Sequence, residues 1–216
     1  MNGEEKPRGR QSEATAQHTR QRIMRSAQAL FAARGFEGVS LRDIAEHSGV
    51  THGLIRHHFG SKENIWQAVV DGTFHEYLAV ATSIVEAQVA GASTALQTVK
   101  EVSRTAIVLS GRYPEVMRLL LHAGVERGAR LDYFMEQLAP LRALMDPLIG
   151  AVQRDGGLRQ FSHETFLLSL VMWGAMPFAM AAFSSELCDV DMLAEEQIER
   201  HADRVIATLF CDVSSQ

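Results

Sequence analysis

Histidine and arginine side chains are concentrated in the short stretch 52–58, where they could bind nucleic acid. His52, Arg56, His57 and His58 all lie in this stretch. Their guanidinium and imidazole N–H groups can donate hydrogen bonds to phosphate oxygens and to the edges of bases. Histidines also suggest a metal site, but residues five and six apart do not share a helix face well, and no cysteine or acidic residue completes a ligand set.

Two short helices joined by a tight turn are predicted to position these side chains. Ser40 suits the N-cap of the first helix, with an acidic residue three positions later as in a capping box. Gly49 marks the turn, because glycine adopts a left-handed backbone at little cost. Thr51 should cap the second helix, which would direct Leu54 and Ile55 toward the core. The pattern predicts a helix-turn-helix whose second helix enters a groove of duplex DNA.

A longer pattern surrounds these two helices. It comprises GF at 35–36, VSLRDIA at 39–45, GVT at 49–51, GLI at 53–55 and HHFGSKE at 57–63. Residues from about Thr19 to Val70 thereby resemble the DNA-binding domain of TetR-type (tetracycline-repressor-type) transcriptional regulators. There are departures, because His58 stands where that family commonly has tyrosine, and Arg56 stands where it often has a second one.

The resemblance implies an all-α fold with an N-terminal three-helix DNA-binding domain and a larger helical ligand-binding and dimerisation domain. We expect a flexible arm at 1–18, the DNA-binding domain at 19–70 with the helix-turn-helix at about 40–59, and the second domain at 71–216. The function implied is that of a repressor, a homodimer that a small-molecule ligand releases from a palindromic operator in double-stranded DNA. The alternative is a ligand-independent helical DNA-binding protein or a protein-docking adaptor.

Two groups of residues are expected at the DNA. His52, Gly53 and His57 should lie against base edges, with Gly53 allowing the backbone to approach closely, and Arg56 should bind guanine or phosphate. The residues expected to bind phosphates are Ser40, Arg42, Thr51, His58 and Lys62. Arg20 and Arg22 are further candidates for phosphate contacts.

The ligand should lie among the middle helices, in an adaptable and largely apolar cavity, since methionine and aromatic residues recur there. Candidate pocket residues are His75, Tyr77, Met117, Leu121, His122, Phe134, Met135, Trp173, Met176 and Phe178. The alternative is that each is an ordinary core residue. The dimer interface is expected on the last two long helices, at Leu167, Leu168, Val171, Ile198, Val205 and Leu209, although these residues could instead fill the core of one chain.

Charge and composition fit this interpretation. The first 70 residues hold ten of the 21 Lys and Arg but seven of the 26 Asp and Glu, so a mildly basic head precedes an acidic body. No signal peptide or membrane-length apolar run occurs, which predicts a cytoplasmic protein. No catalytic motif is present, and Cys188 and Cys211 lack metal-type spacing. We therefore expect no enzyme activity, no cofactor and no metal, while a redox role for the two cysteines stays open.

The helix boundaries can also be predicted. We expect helices over about 20–34, 62–88, 94–111, 115–128, 131–154, 164–183 and 191–210, with a loop at 184–190. Ser61 and Ser93 should cap the second and third of these helices. Pro140 and Pro147 should bend or break the helix over 131–154, and Pro177 should kink the one over 164–183.

Overall fold

The structure is a computed structural model that describes residues 8–91, 93–158 and 161–210. Within these ranges the chain is helical and contains no strand, so the all-α prediction is confirmed. The helices are α1 (Arg8–Arg34), α2 (Leu41–Ser48), α3 (His52–Phe59), α4 (Lys62–Ala90), α5 (Ala95–Arg112), α6 (Pro114–Gly124), α7 (Ala129–Arg154), α8 (His163–Ser169), a π-helical segment (Leu170–Ala175), α9 (Met176–Ala179), α10 (Ala181–Cys188) and α11 (Glu195–Leu209).

The chain divides after Asp71 into two compact units. The first contains α1, α2, α3 and the start of α4, and its apolar residues recur at helical spacing so that each helix buries one face. The Phe36 ring stacks on Phe31 and meets Trp66 edge-on, which joins α1 to α4 within this unit. The buried apolar residues are Ile23, Ala27, Leu30, Phe31, Ala32, Val39, Ile44, Ala45, Ile55, Phe59, Ile65, Trp66, Val69 and Val70.

Helix α1 begins at Arg8 rather than near 20. The stretch 11–18 contains neither glycine nor proline and includes the good helix formers alanine, glutamine and glutamate, so nothing in it stops the helix. The part of the expected flexible arm that the structure describes is therefore helical, and residues 1–7 lie outside the described ranges.

In the second unit α5 packs against both α7 and α11. Val99, Val102, Ile107 and Val108 form the buried face of α5. They meet a core that includes Ala81, Met145, Ile149, Val152, Leu158, Phe166, Phe178, Met192, Ile198, Ala202, Val205, Leu209 and Phe210.

Helix α7 runs unbroken through Pro140 and Pro147, so of the predicted bend or break the break is wrong. Both prolines are exposed, and each removes one backbone hydrogen bond from the helix. Burial of Met145, Ile149 and Val152 on the opposite face holds the helix together across the second of these sites.

Other boundaries also differ from the prediction, since α6 ends at Gly124 rather than near 128 and α11 begins at Glu195 rather than near 191. Thr94, not Ser93, caps α5, because Thr94 accepts from the Gln97 N–H while the Gln97 side chain accepts from the Thr94 N–H. The main bend near Pro177 lies three residues later at Met180, where the helical direction changes by 88°. Pro177 itself is in the first turn of α9, where its missing N–H is not needed. The segment 184–190, predicted as a loop, is largely helical in α10.

Candidate nucleic-acid interface

A capping box holds the start of α2, as the sequence predicts. The Ser40 hydroxyl oxygen accepts from the Asp43 N–H at 3.2 Å, and the Asp43 carboxylate accepts from the Ser40 N–H at 2.7 Å. The Ser40 hydroxyl also donates to this carboxylate. The hydrogen bond from the Ser40 side chain, then that from its backbone, lower the pKa of Asp43, and nearby Arg34 adds to the effect. The hydroxyl of Ser40 therefore stabilises the cap.

The turn between α2 and α3 depends on Gly49, whose φ of 65° lies in the left-handed region as predicted. The N–H of Gly49 donates to the carbonyls of Ala45 and Glu46, which closes the last turn of α2. Arg22 on α1 lies against the same turn, and its guanidinium donates to the carbonyls of Ser48 and Gly49 at 2.5 and 3.3 Å. This contact directs the Arg22 side chain, predicted to bind phosphate, at backbone carbonyls of the first unit.

Helix α3 begins after Thr51, whose hydroxyl oxygen accepts from the Leu54 N–H at 3.3 Å. Only Ile55 and Phe59 are buried among its residues. The prediction that Leu54 points inward is wrong, since 36% of its surface is exposed. With two buried anchors four residues apart, the helix leaves a wide outer face, and Leu54 falls at its edge.

The outer face of α3 carries the side chains that the sequence singled out for base contacts. His52, Gly53, Arg56 and His57 are all exposed. A β-carbon at Gly53 would meet no atom of the chain within 4 Å, and its backbone is not in the left-handed region. Nothing in the chain itself therefore requires glycine at position 53.

The residues predicted to bind phosphates have different surroundings. Arg42 is exposed on α2 and Thr51 is exposed at the start of α3. His58 is half-buried, with its ring edge-on to His57 at 5.5 Å and tilted against Phe59. Arg42 and Thr51 are thus open to solvent, whereas His58 is partly covered by its neighbours.

Lys62 and Arg20 are held within the first unit. The Lys62 ammonium donates to the carbonyls of Phe36 and Val39, both at 2.9 Å, and lies 4.0 Å from the centre of the Phe36 ring. Arg20 donates to the carbonyl of His58 at 3.2 Å and lies over the Phe59 ring at 4.3 Å. These contacts could not be predicted from the sequence, because they join residues 23 to 39 positions apart along the chain.

The candidate ligand residues do not form one cluster. The Phe134 ring is buried edge-on to Phe74 at 4.8 Å, and the Tyr77 hydroxyl is 3.3 Å from that of Ser110. Burial raises the pKa of Tyr77, while its bond to Ser110 opposes the shift. Met117 and Leu121 are half-buried, Phe178 is fully buried against His201, and the exposed members of the set are His75, His122, Met135 and Trp173.

A groove of about 560 Å³ lies in the second unit, and Met176 is the one candidate pocket residue that lines it. Its apolar lining includes Met172, Met180 and Phe183, and its lining residues also include Arg200, His201 and Arg204. Methionines give such a surface side chains that can adapt to a partner.

The candidate dimer residues fall into two groups. Leu168 is 59% exposed on α8, and Leu167 and Val171 are half-buried. The assignment of Ile198, Val205 and Leu209 to an interface is corrected, because all three are buried within the core of one chain. The exposed apolar surface of this region lies instead on residues that precede α11, namely Leu168, Met172, Trp173, Met180, Phe183 and Leu187.

No group of three or more potential metal ligands occurs in the described part of the chain. Cys188 is exposed as a free thiol, and Cys211 lies outside the described residues. Among described helices none alone is long and apolar enough to cross a membrane, although His163–Ala179 and Ala181–Cys188, bent by 88°, pass that test together on length and composition.

Comparison with known proteins shows that part of the first unit is similar to bacterial regulators. Residues 23–69 match the family described as bacterial regulatory proteins, tetR family. The chain is also similar to the HTH-type transcriptional repressor Rv3405c of Mycobacterium tuberculosis, with 45% identity over 65 residues, which are 30% of this chain and 31% of that protein. The match thus spans about a third of the relative's length.

Two solved structures share the fold over nearly the whole chain. HlyIIR, a hemolysin II transcriptional regulator, aligns with a TM-score of 0.66 and 19% identity over 91% of this chain and 99% of that one. The ketosteroid transcriptional regulator KstR2 of Mycobacterium tuberculosis aligns with a TM-score of 0.69 and 16% identity over 89% and 95%. At these identities the likeness concerns the fold.

Proposed function

We propose that this chain, whose residues 23–69 match the tetR family of bacterial regulatory proteins, is a sequence-specific DNA-binding transcriptional regulator. The observation that carries the proposal is the outer face of α3. It presents His52, Arg56 and His57 to solvent around an unobstructed Gly53, on a helix capped by Thr51. The relatives and structural neighbours are described as regulators rather than enzymes, in agreement with the absence of catalytic motifs from the sequence.

We assign different roles to the residues of the interface. His52, His57 and Arg56 would donate to base edges in the major groove, and Gly53 would let the α3 backbone approach the bases. Leu54, which sequence analysis directed inward, is exposed enough to contact a thymine methyl group. Arg42 would bind a phosphate, and the Thr51 hydroxyl could donate to another while its oxygen caps α3.

A single recognition helix contacts only a few base pairs, so we propose that two copies bind a palindromic operator. The exposed apolar surface defined above, from Leu168 to Leu187, is the surface we assign to the second copy. Residues of this size and exposure rarely cluster on a monomer without a partner. Repression is the mode that the relative's description favours.

We further propose that a largely apolar small molecule releases the operator. Its contacts would lie around Tyr77, whose hydroxyl is paired with that of Ser110, and around Phe134, whose ring meets that of Phe74 edge-on. Tyr77 is on α4, the helix that continues from the first unit into the second, and Phe134 is on α7 and contacts Phe74 of α4. An effector would act only if its affinity differed between the DNA-binding and the released conformations.

Retention of sheared genomic DNA by the purified protein, followed by sequencing, tests the DNA-binding proposal. We expect a palindromic motif to be enriched at moderate salt. Arg56→Ala should lose or relax that motif, whereas Arg127→Ala, at an exposed position outside α3, should retain it. Absence of any motif with the wild-type protein would contradict the proposal and favour the protein-docking adaptor.

Thermal shift with pools of metabolites separates a ligand-responsive regulator from a ligand-independent one. A ligand that binds the native state raises the melting temperature. A compound that raises the melting temperature should also reduce operator retention. In Tyr77→Phe both effects of the compound should be weaker, because the proposed contact with the hydroxyl is lost. A protein that binds its operator but responds to no pool would support the ligand-independent alternative.

A further inference from the structure

We propose that Arg20, Arg22 and Lys62 are positioning residues that fix the recognition helix α3 within the head, rather than phosphate contacts. The proposal rests on the DNA-binding function proposed above. It departs from the sequence-based expectation, which placed all three cations at the DNA backbone. Its basis is that each side chain is directed at backbone carbonyls at the end of a helix or in the connection between helices.

Arg22 stabilises the C-terminal end of α2. Its Nη2 donates to the carbonyl of Ser48, the last residue of α2, and to that of Gly49 in the turn. The final carbonyls of a helix have no partner within the helix and form the negative end of its dipole. A guanidinium from α1 therefore supplies both the missing hydrogen bond and a favourable charge at the point where the chain turns toward α3.

Arg20, two residues earlier on α1, does the same for α3. Its Nη1 donates to the carbonyl of His58, and its guanidinium lies over the ring of the buried Phe59. One turn of α1 thus contacts the C-terminal ends of both helices of the helix-turn-helix. A rotation of α3 against α1 would break the bond to His58 and separate the cation from the aromatic face.

Lys62 holds the connection between α1 and α2. Two of its three N–H donors are directed at the carbonyls of Phe36 and Val39, and its charge lies over the Phe36 ring. If the ammonium moved to a phosphate, both partly buried carbonyls would lose its hydrogen bonds, and the Phe36 carbonyl would keep the longer one from the Val39 N–H at 3.3 Å. Because Lys62 is the first residue of α4, this contact also ties the end of α3 to the start of α2.

These contacts predict a specific response to salt. A residue that neutralises a phosphate adds about 0.9 to the magnitude of the negative slope of log affinity against log salt concentration. It does so on specific and on non-specific DNA. A positioning residue leaves that slope unchanged. It instead reduces preference for the operator, because base contacts need α3 at a fixed angle whereas the general attraction to phosphates does not.

The test compares Arg22→Met and Lys62→Met with Arg42→Met in the full-length protein. Methionine keeps an apolar stem and removes the charge, and Arg42 is the exposed arginine on α2. Binding to the retained operator and to a random duplex of equal length is measured over a salt series well below the melting temperature. We expect Arg22→Met and Lys62→Met to weaken operator binding by about tenfold with unchanged slope and unchanged binding to random DNA. Arg22→Lys should restore part of the loss.

Arg42→Met should reduce the magnitude of the salt slope by about 0.9 and should weaken binding to the operator and to random DNA equally. The same behaviour in Arg22→Met and Lys62→Met would overturn the proposal, as would unchanged operator affinity in both. Amide hydrogen exchange of α3 in the free protein gives a readout that needs no DNA. The exchange of the α3 amides should be faster in the Arg20→Met and Arg22→Met variants than in the wild type, and unchanged in Arg42→Met. If the wild type bound no operator, the proposed function would fail, and unchanged exchange would separately refute the positioning role.

Discussion

Gly111 on α5 faces Ile198 on α11 so closely that a β-carbon at position 111 would lie 2.8 Å from both Cγ1 and Cγ2 of the isoleucine. Gly174 in the π-helical segment has the same relationship to Ile107, at 2.8 Å from its Cγ1. Real β-carbons do not approach so near, and both isoleucines are buried. The second unit therefore brings α5 against its neighbours at points where only a hydrogen fits.

Gly111→Ala should destabilise the protein by about 1 to 3 kcal/mol, because the added methyl group overfills a packed core. Urea unfolding monitored by circular dichroism measures the change. Ile198→Ala alone should also destabilise by leaving a cavity, but the double variant should lose less than the two single losses combined. Strict additivity would show that the two residues do not compete for space.

The capping box predicts an acid-dependent contribution to stability. Ser40 lowers the pKa of Asp43 below its ordinary value of 3.8. A lowered folded-state pKa means that the stabilisation is complete above about the unfolded value and is lost as pH falls through the folded value, hence below about pH 4. In Ser40→Ala the carboxyl pKa should move up toward 3.8, as followed by NMR titration. An unchanged Asp43 pKa in that variant would refute the assigned cause.

Gly53→Ala separates stability from DNA binding. Alanine favours helix formation over glycine by up to about 1 kcal/mol, and no atom of the chain obstructs the new methyl group. We expect an equal or higher melting temperature together with weaker operator binding, because the methyl group would keep the backbone from the bases. Thermal unfolding and operator titration measure the two effects. Undiminished binding would mean that the backbone at position 53 does not approach the DNA.

Arg56→Ala should relax specificity at one symmetric pair of operator positions. A bidentate arginine–guanine contact contributes about 1 to 3 kcal/mol of discrimination between bases. Titration of operators substituted one base pair at a time would locate the effect. A uniform loss at every position, with a smaller salt slope, would instead assign Arg56 to a phosphate.

Phe183→Glu should convert the dimer to a monomer. Phe183 is 60% exposed within the apolar surface assigned to the second copy, and a buried glutamate without a partner is costly there. Sedimentation velocity measures the mass. Val125→Glu, at another exposed apolar position, is the matched control and should stay dimeric. A dimeric Phe183→Glu protein would place the interface elsewhere.

The local parts of the DNA-binding head could be predicted from the sequence. Caps and turns depend on residues within a few positions of each other, so Ser40, Gly49 and Thr51 fix the ends of α2 and α3 through bonds of short range. The prolines of α7 show where such local rules fail. Each favours a break, yet burial of Met145 and Ile149 by other helices outweighs it.

The sequence by itself determined that the chain is helical, where its helix-turn-helix begins and turns, and that α3 carries donors suited to DNA. The tertiary structure alone decided which apolar residues are core, as with Ile198, and which cations are bound internally, as with Arg22 and Lys62. The physical reason is the separation along the chain of the residues that interact. A cap is made by neighbours along the chain, whereas the environment of a side chain depends on helices distant in sequence, whose approach is set by packing of the whole unit.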